Sequence, residues 1–240
     1  MIELKYVEKQ YPGSNKVLFI NELVIRTGEV TAVVGANGSG KTTLLKAIMG
    51  IGEVSNPYGH ILIDGKSVQE QYEQMAFITE EGSFLPKMTP LQYAGFLADY
   101  FPRFDRERYL KLLEFFELDA DARIKTMSTG QKSKLEICAG FSKGAKYILM
   151  DEPFNGKDMF TRQDFLKLMI ASMKDEETLV ITTHIIDEIE NVIDRAIVLH
   201  EGRVKADVTI DELREAGQCL PELMAQTAGY KPNAYKKFIE

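Results

Sequence analysis

Two cysteines in 240 residues, Cys138 and Cys219, are too few and too unlike a C-x-x-C pair to make a disulfide framework or a zinc site. Both read as structural residues in a reducing compartment. Also missing is any apolar run near the roughly 18 residues that a membrane-spanning helix needs. The opening MIELKY lacks the basic-then-apolar layout of a secretory signal, so the expected location is the cytosol. Positive charge is in deficit: the formal net charge is −7. Binding to a phosphate backbone draws on clustered Lys and Arg, so no nucleic acid is expected as a partner. No repeat of about 20–50 residues and no low-complexity tract is present. With 45% apolar residues, the chain has enough to bury one large core, or one core and a smaller lobe.

What is present is a series of short apolar runs with turn signals between them. Residues 1–34 (IELKYV, LFINELVI, EVTAVV, broken by YPGSN and TGE) predict strands joined by turns. HILIDGKSV predicts a strand pair and MAFIT a buried strand. Thr89 followed by Pro90 is a helix cap and first helical position. Asp105 opens a second helix, with Tyr109, Leu112, Leu113 and Phe116 on one face. Residues of about 87–146 therefore read as an α-helical lobe inserted into an α/β core. YILM and LVITT, separated by the helical FTRQDFLKLMIASM, form a βαβ pattern and hence a parallel sheet. AIVLHEGRVKADV predicts a hairpin, and residues 210–240 a short helical tail.

The chemistry gathers at predicted strand ends. GANGSGKT, Gly35–Thr42, fits G-x-x-x-x-G-K-[ST] with a strand before it and a helix after it. Its backbone N–H groups, from Gly35 through Asn37, Gly38, Ser39 and Gly40, suit phosphate oxygens, and the helix N-terminus adds partial positive charge. Lys41 is expected on the β- and γ-phosphates, Thr42 on Mg²⁺ and Thr43 on an outer phosphate. YILMDEP ends a strand with two carboxylates. Asp151 is expected to reach the metal through water and Glu152 to act as general base; taken alone, such acids are equally what a solvated loop supplies. MAFITE ends a strand at Glu80 and ITTH ends one at His184, which is expected to reach the γ-phosphate and then lead into a helix, IIDEIENVI. A parallel sheet brings Gly35, Glu80, Asp151, Glu152 and His184 to one edge.

A second stretch, MSTGQ (Met127–Gln131), precedes Leu135, Cys138 and Phe141 at helical spacing, which makes Ser128 an N-cap and the segment another helix N-terminus. It is an ordinary capped start, a second anion site, or the exposed side of a nucleotide held by another chain. Composition does not choose among them.

The ordered set GANGSGKT, MSTGQ, ILMDEP, FNGKD and TTHII resembles the P-loop, signature, Walker B, D-loop and switch histidine of the ATP-binding subunit of ABC transporters, over about residues 1–205. The resemblance implies a P-loop NTPase α/β core with a mainly parallel sheet, an N-terminal antiparallel β subdomain and the inserted helical lobe, followed by a C-terminal extension over 206–240. It implies ATP and Mg²⁺ as ligands. It also implies head-to-tail packing of two subunits as a homodimer or heterodimer, with ATP between the P-loop of one and Ser128, Gly130 and Gln131 of the other. Tyr11 matches the family's adenine-stacking aromatic and Asp158 its D-loop acid. A separate transmembrane permease follows as partner, and a peripheral position on the inner face of the cell membrane. The sequence departs from the family at Glu80, where glutamine is usual near Mg²⁺, at Thr129 in place of a glycine, and at the polar NGKD. Glu80 within FITEEGSFLPKMT looks like the branch serving two-component exporters. A rival reading is a soluble member of the superfamily acting in DNA repair or on ribosomes; the second cassette, coiled coil or zinc motif usual there is not in the sequence. A module that binds nucleotide without turnover fits poorly with intact Lys41, Asp151, Glu152 and His184.

Overall fold

The computed structural model describes residues 1–10, 17–79, 85–153, 159–186 and 189–228, with 159–164 and 228 as backbone only. β1 (Ile2–Gln10) pairs antiparallel with β2 (Val17–Ile25) on one side and β4 (His60–Ile63) on the other, and β5 (Lys66–Ser67) closes this first sheet. β4 and β5 turn at Asp64 and Gly65, whose φ of 49° and 76° are both left-handed, the geometry an Asp-Gly hairpin supplies. The second sheet runs β10–β9–β3–β8–β7–β6. β3 (Val30–Val34), β6 (Met75–Ile78), β7 (Tyr147–Asp151), β8 (Thr178–Thr183) and β9 (Arg195–His200) are mutually parallel, and only β10 (Arg203–Thr209) pairs antiparallel.

Successive strand residues point to opposite faces. Tyr147, Leu149, Val180, Ile197 and Leu199 pack with the first sheet and α1 (Lys41–Ile48), whereas Ile148, Met150, Leu179, Ile181 and Val198 pack into a second cluster with the helical lobe. A sheet covered on both faces needs continuous apolar strands, which is why these runs are apolar without alternation.

The lobe comprises α2 (Pro90–Tyr100), α3 (Arg106–Phe115) and α4 (Thr129–Ser142), and the backbone bond from Asp105 N–H to Ser142 O, 2.7 Å, ties the start of α3 to the end of α4. Thr89 caps α2 with Gln92 reciprocating, and Asp105 caps α3. Tyr109, Leu112, Leu113 and Phe116 are buried on one face as expected. The Tyr109 hydroxyl donates to Pro90 O at 3.0 Å, and burial pushes its ionisation far above the ordinary phenol range. After α5 (Met159–Ser172), the expected helix IIDEIENVI differs from what is seen. Residues 187 and 188 of that stretch lie outside the described residues; none of its described residues is helical, Ile189 N–H donating to Ile186 O at 3.2 Å and Val192 N–H to Ile189 O at 3.0 Å. Ile186, Ile189 and Ile193 still reach the core, and Asp194 then accepts Val30 N–H at 2.8 Å, tying the segment to β3. β10 leads into α6 (Ile210–Glu215) and α7 (Leu220–Ala228), which bury Leu213, Leu220, Leu223 and Met224 in the lobe-side cluster.

One buried ion pair fastens the lobe to the loop before β8. Arg108 of α3 donates to Glu177 at 2.6 and 3.1 Å, with side chains 9% and 6% exposed. The guanidinium also lies over the Phe141 ring, 5.1 Å from its centroid. Removing one partner of such a pair strands the other charge. Arg108→Met is therefore expected to lower stability by about 3–5 kcal/mol, and adding Glu177→Leu to restore most of it. Urea unfolding midpoints of the single and double variants check this.

Candidate active site

β3 delivers the chain into the loop Gly35–Gly40, which turns back into α1. At Gly35 a β-carbon would lie 2.2 Å from Leu199 O and 2.6 Å from Ser39 Oγ, so only glycine fits. Gly40, the N-cap, sits at φ 109° with no side-chain cap on α1. The N–H groups of the first turn thus remain without a side-chain acceptor, the condition for holding an anion. From outside, the loop is braced by the β9–β10 turn: Gly202 N–H donates to Ser39 O at 2.9 Å, and Phe19 N–H to Gly202 O at 2.7 Å. Asn37 and Gly38 form the exposed tip, Ser39 is buried, and Thr43 is half-buried in the first turn. The Ser39 hydroxyl has no hydrogen-bond partner among the described residues.

Lys41 is 5% exposed. Its ammonium donates to Gly35 O at 2.8 Å and Ala36 O at 3.3 Å and pairs with Glu152 Oε1 at 3.0 Å. The other Glu152 oxygen lies 2.8 Å from His184 Nδ1. Asp151 Oδ1 accepts from Thr42 Oγ1 at 3.0 Å and from Thr182 Oγ1 at 2.7 Å. Glu152 holds a left-handed backbone, φ 47°, unfavourable for a residue with a β-carbon. Its N–H is fixed by Thr182 through both Oγ1 (2.9 Å) and the carbonyl (3.2 Å). Lys41, Thr42, Asp151, Glu152, Thr182 and His184 thus form one connected set at the carboxyl ends of β3, β7 and β8. Thr42 and Asp151 are hard oxygen donors side by side, a donor set that fits Mg²⁺ held jointly with phosphates.

Ser128 caps α4. Its Oγ accepts Gln131 N–H at 3.2 Å, while Gln131 Oε1 accepts Ser128 N–H at 2.9 Å. Neither side chain bonds to the phosphate loop of its own chain. Gly130 is exposed, and a β-carbon there would meet nothing within 4 Å. Further along α4, Ser133 and Ile137 do approach the site, lining a small pocket with Thr79, Asp151 and Glu152.

Tyr11, Glu80 and Asp158, named from the sequence, lie outside the described residues. Two contributors carry no motif in the sequence: Thr182 lies inside the strand run LVITT and Gly202 inside the hairpin AIVLHEGRVKADV, and the polar TT pair at an otherwise apolar strand's end is the one available signal.

A glycine loop wrapped onto a helix start, with a lysine, a hydroxyl and two carboxylates from neighbouring parallel strands, defines a P-loop nucleotide hydrolase. The chain belongs to the ABC transporter family, whose model matches residues 20–155, more than half its length. It is an ATP-binding subunit of that family, an ATPase. It is 32% identical to the ABC transporter ATP-binding protein YtrB of Bacillus subtilis (strain 168), over 90% of this chain and 74% of that protein. It is 30% identical to the aliphatic sulfonates import ATP-binding protein SsuB 1 of Pseudomonas syringae pv. syringae (strain B728a), over 83% and 80%. A solved ATP-binding subunit of an ABC transporter superposes with a TM-score of 0.82 at 27% identity, covering 94% of this chain and 98% of the other.

The Gly35 site leaves no room for a methyl group against a backbone carbonyl. Gly35→Ala is expected to distort the loop and weaken nucleotide binding at least tenfold, because displaced N–H groups lose their common focus. Titration with a fluorescent ATP analogue checks this, with circular dichroism establishing that the fold survives.

Proposed function

We infer that this chain powers a separate transmembrane permease through ATP-dependent dimerisation, residues 1–205 forming the cassette and 206–240 its extension. The carrying observation is the connected set of contacts from Lys41 through Glu152 to His184. In this reading the loop Gly35–Gly40, with Asn37, Gly38, Ser39 and Thr43, cradles the phosphates, and Lys41 turns from Glu152 to the β- and γ-phosphates. Thr42 and Asp151 would hold Mg²⁺, which would neutralise phosphate charge. Glu152, released from Lys41, accepts a proton from water as its oxygen attacks the γ-phosphorus, the bridging P–O bond breaks and ADP leaves. His184 holds the second Glu152 oxygen and orients the attack. Tyr11, Glu80 and Asp158 are assigned to adenine, metal and the dimer contact on the family resemblance alone.

Gly130 supports a shared site. It stands exposed in the first turn of α4, and no described atom lies within 4 Å of where its β-carbon would be. That open space beside the Ser128 hydroxyl fits close approach by a nucleotide held on another subunit. No helix of the described residues is long and apolar enough to cross a membrane, which agrees with a permease on a separate chain.

Glu152→Gln is expected to retain ATP binding while turnover falls at least 100-fold, since the amide keeps the shape and loses the proton acceptor. The variant should elute as a dimer with saturating Mg-ATP in size-exclusion chromatography; a monomer would overturn the dimer model.

Mixing two inactive variants tests the shared site. Lys41→Ala and Ser128→Arg each damage both sites of their own homodimer. In a mixed dimer both defects fall in one site and the other site is intact. Recovery of ATP-dependent dimerisation is expected on mixing. No recovery at any ratio, with both variants folded, would return Ser128 to a plain helix cap.

A further inference from the structure

Thr182, the penultimate residue of β8, is completely buried. A hydroxyl has one proton to give and two lone pairs to receive. Here the proton goes to Asp151 Oδ1 at 2.7 Å, the alternative acceptor, Met150 O, being more distant at 3.4 Å. A lone pair receives Glu152 N–H at 2.9 Å. One side chain therefore holds the carboxylate of Asp151 and the backbone of Glu152 together. The first contact matters because Asp151 Oδ1 also accepts from Thr42. A Thr42 oxygen can meet a cation through a lone pair while its proton stays on Asp151, so Thr182 is the second contact, from the buried side, that orients that carboxylate. The second matters because Glu152 sits at φ 47°. A residue there persists only when its surroundings fix it, and that backbone directs the side chain between Lys41 and His184.

We propose that Thr182 is a positioning residue for both carboxylates, setting Mg²⁺ recognition through Asp151 and the orientation of the base through Glu152. The inference rests on the roles given above to Asp151 and Glu152. Outer partners of metal-binding carboxylates typically change affinity or activity by about 10- to 100-fold when removed.

Three variants separate the hydroxyl from packing. Serine keeps the hydroxyl and drops the methyl, valine keeps the volume and drops the hydroxyl, and alanine drops both. The hydroxyl role predicts that Thr182→Ser stays within about threefold of the unmodified protein. Thr182→Val and Thr182→Ala are expected to lose roughly 10- to 100-fold in kcat and to need more Mg²⁺ for half-maximal turnover, with KM for ATP little changed. A second readout is independent of turnover. Binding of a fluorescent ATP analogue in EDTA should be equal in all four proteins, and the gain in affinity on adding Mg²⁺ should shrink in the valine and alanine variants alone. Valine matching the unmodified protein, with serine and alanine sharing a defect, would mean that Thr182 only fills space and would overturn the proposal. Should valine fail to fold, the serine and alanine pair differ by the hydroxyl alone, and equal behaviour of those two overturns it as well. Glu152→Gln in the same assays distinguishes the underlying reading. Undiminished turnover there would displace Glu152 as the base, whereas its inactivity beside a normal Thr182→Val would sink only the role of Thr182.

Discussion

The ion pair between Lys41 and Glu152 closes the site. An ammonium only 5% exposed must be compensated, because an unpaired buried charge is costly. In this structure Glu152 Oε1 at 3.0 Å and the carbonyls of Gly35 and Ala36 supply that compensation. These partners differ in kind. The carbonyls belong to the loop's own backbone, whereas the carboxylate comes from the end of a different strand. An arriving phosphate competes with the carboxylate for the same cation. Under the proposed function, occupation of the loop and release of the base are then one event, and His184, already on the other oxygen, keeps Glu152 from turning away.

That pairing depends on sheet geometry. β3, β8 and β7 are adjacent and parallel, with Val34 beside Thr183 and Asp151 beside Thr182. Their carboxyl ends are therefore level to within one residue, so Glu152 reaches His184 directly and Gly35 through the Lys41 ammonium. Burial on both sheet faces fixes this register, since a slip of one residue would exchange the helix-side and sheet-side sets throughout. Leu199 and Gly202 extend the arrangement across β9, the first limiting the volume at Gly35 and the second bonding to Ser39.

Much of this was legible because the signals are local. Glycine at fixed spacing before Lys-Thr, apolar runs of four or five residues, and Ser128 or Thr89 three residues before glutamine each specify a turn, a strand or a cap through near neighbours. The roles of Thr182, Gly202 and Arg108 were not legible. Thr182 meets Asp151 across 31 positions and Arg108 meets Glu177 across 69, and neither residue carries a local pattern that announces a distant carboxylate. The segment after His184 misled for a related reason. Isoleucines three and four apart suit a helix, yet the described residues bury the same side chains without one, and Asp194 then bonds to β3 from the far end of the segment.

The two helix starts are built differently, and the difference bears on what each can bind. α1 begins at a glycine in a left-handed conformation, without a side-chain acceptor, so its first N–H groups are available to an anion within the chain. α4 begins with a complete reciprocal cap, Ser128 and Gln131 satisfying each other's N–H groups. The cap covers two of the four N–H groups that a helix start leaves unpaired, and those of Thr129 and Gly130 lie outside it. In that cap the Ser128 oxygen is an acceptor, so its own proton is still available to an acceptor from outside. Beside it, Gly130 leaves open space where any other residue would stand. The first start fits phosphates delivered into a loop that envelops them; the second fits the outermost oxygens of a nucleotide already held elsewhere. Under the proposed function, a dimer with one start of each kind at every nucleotide uses both: the enveloping loop of one chain and the open face beside Ser128 of the other.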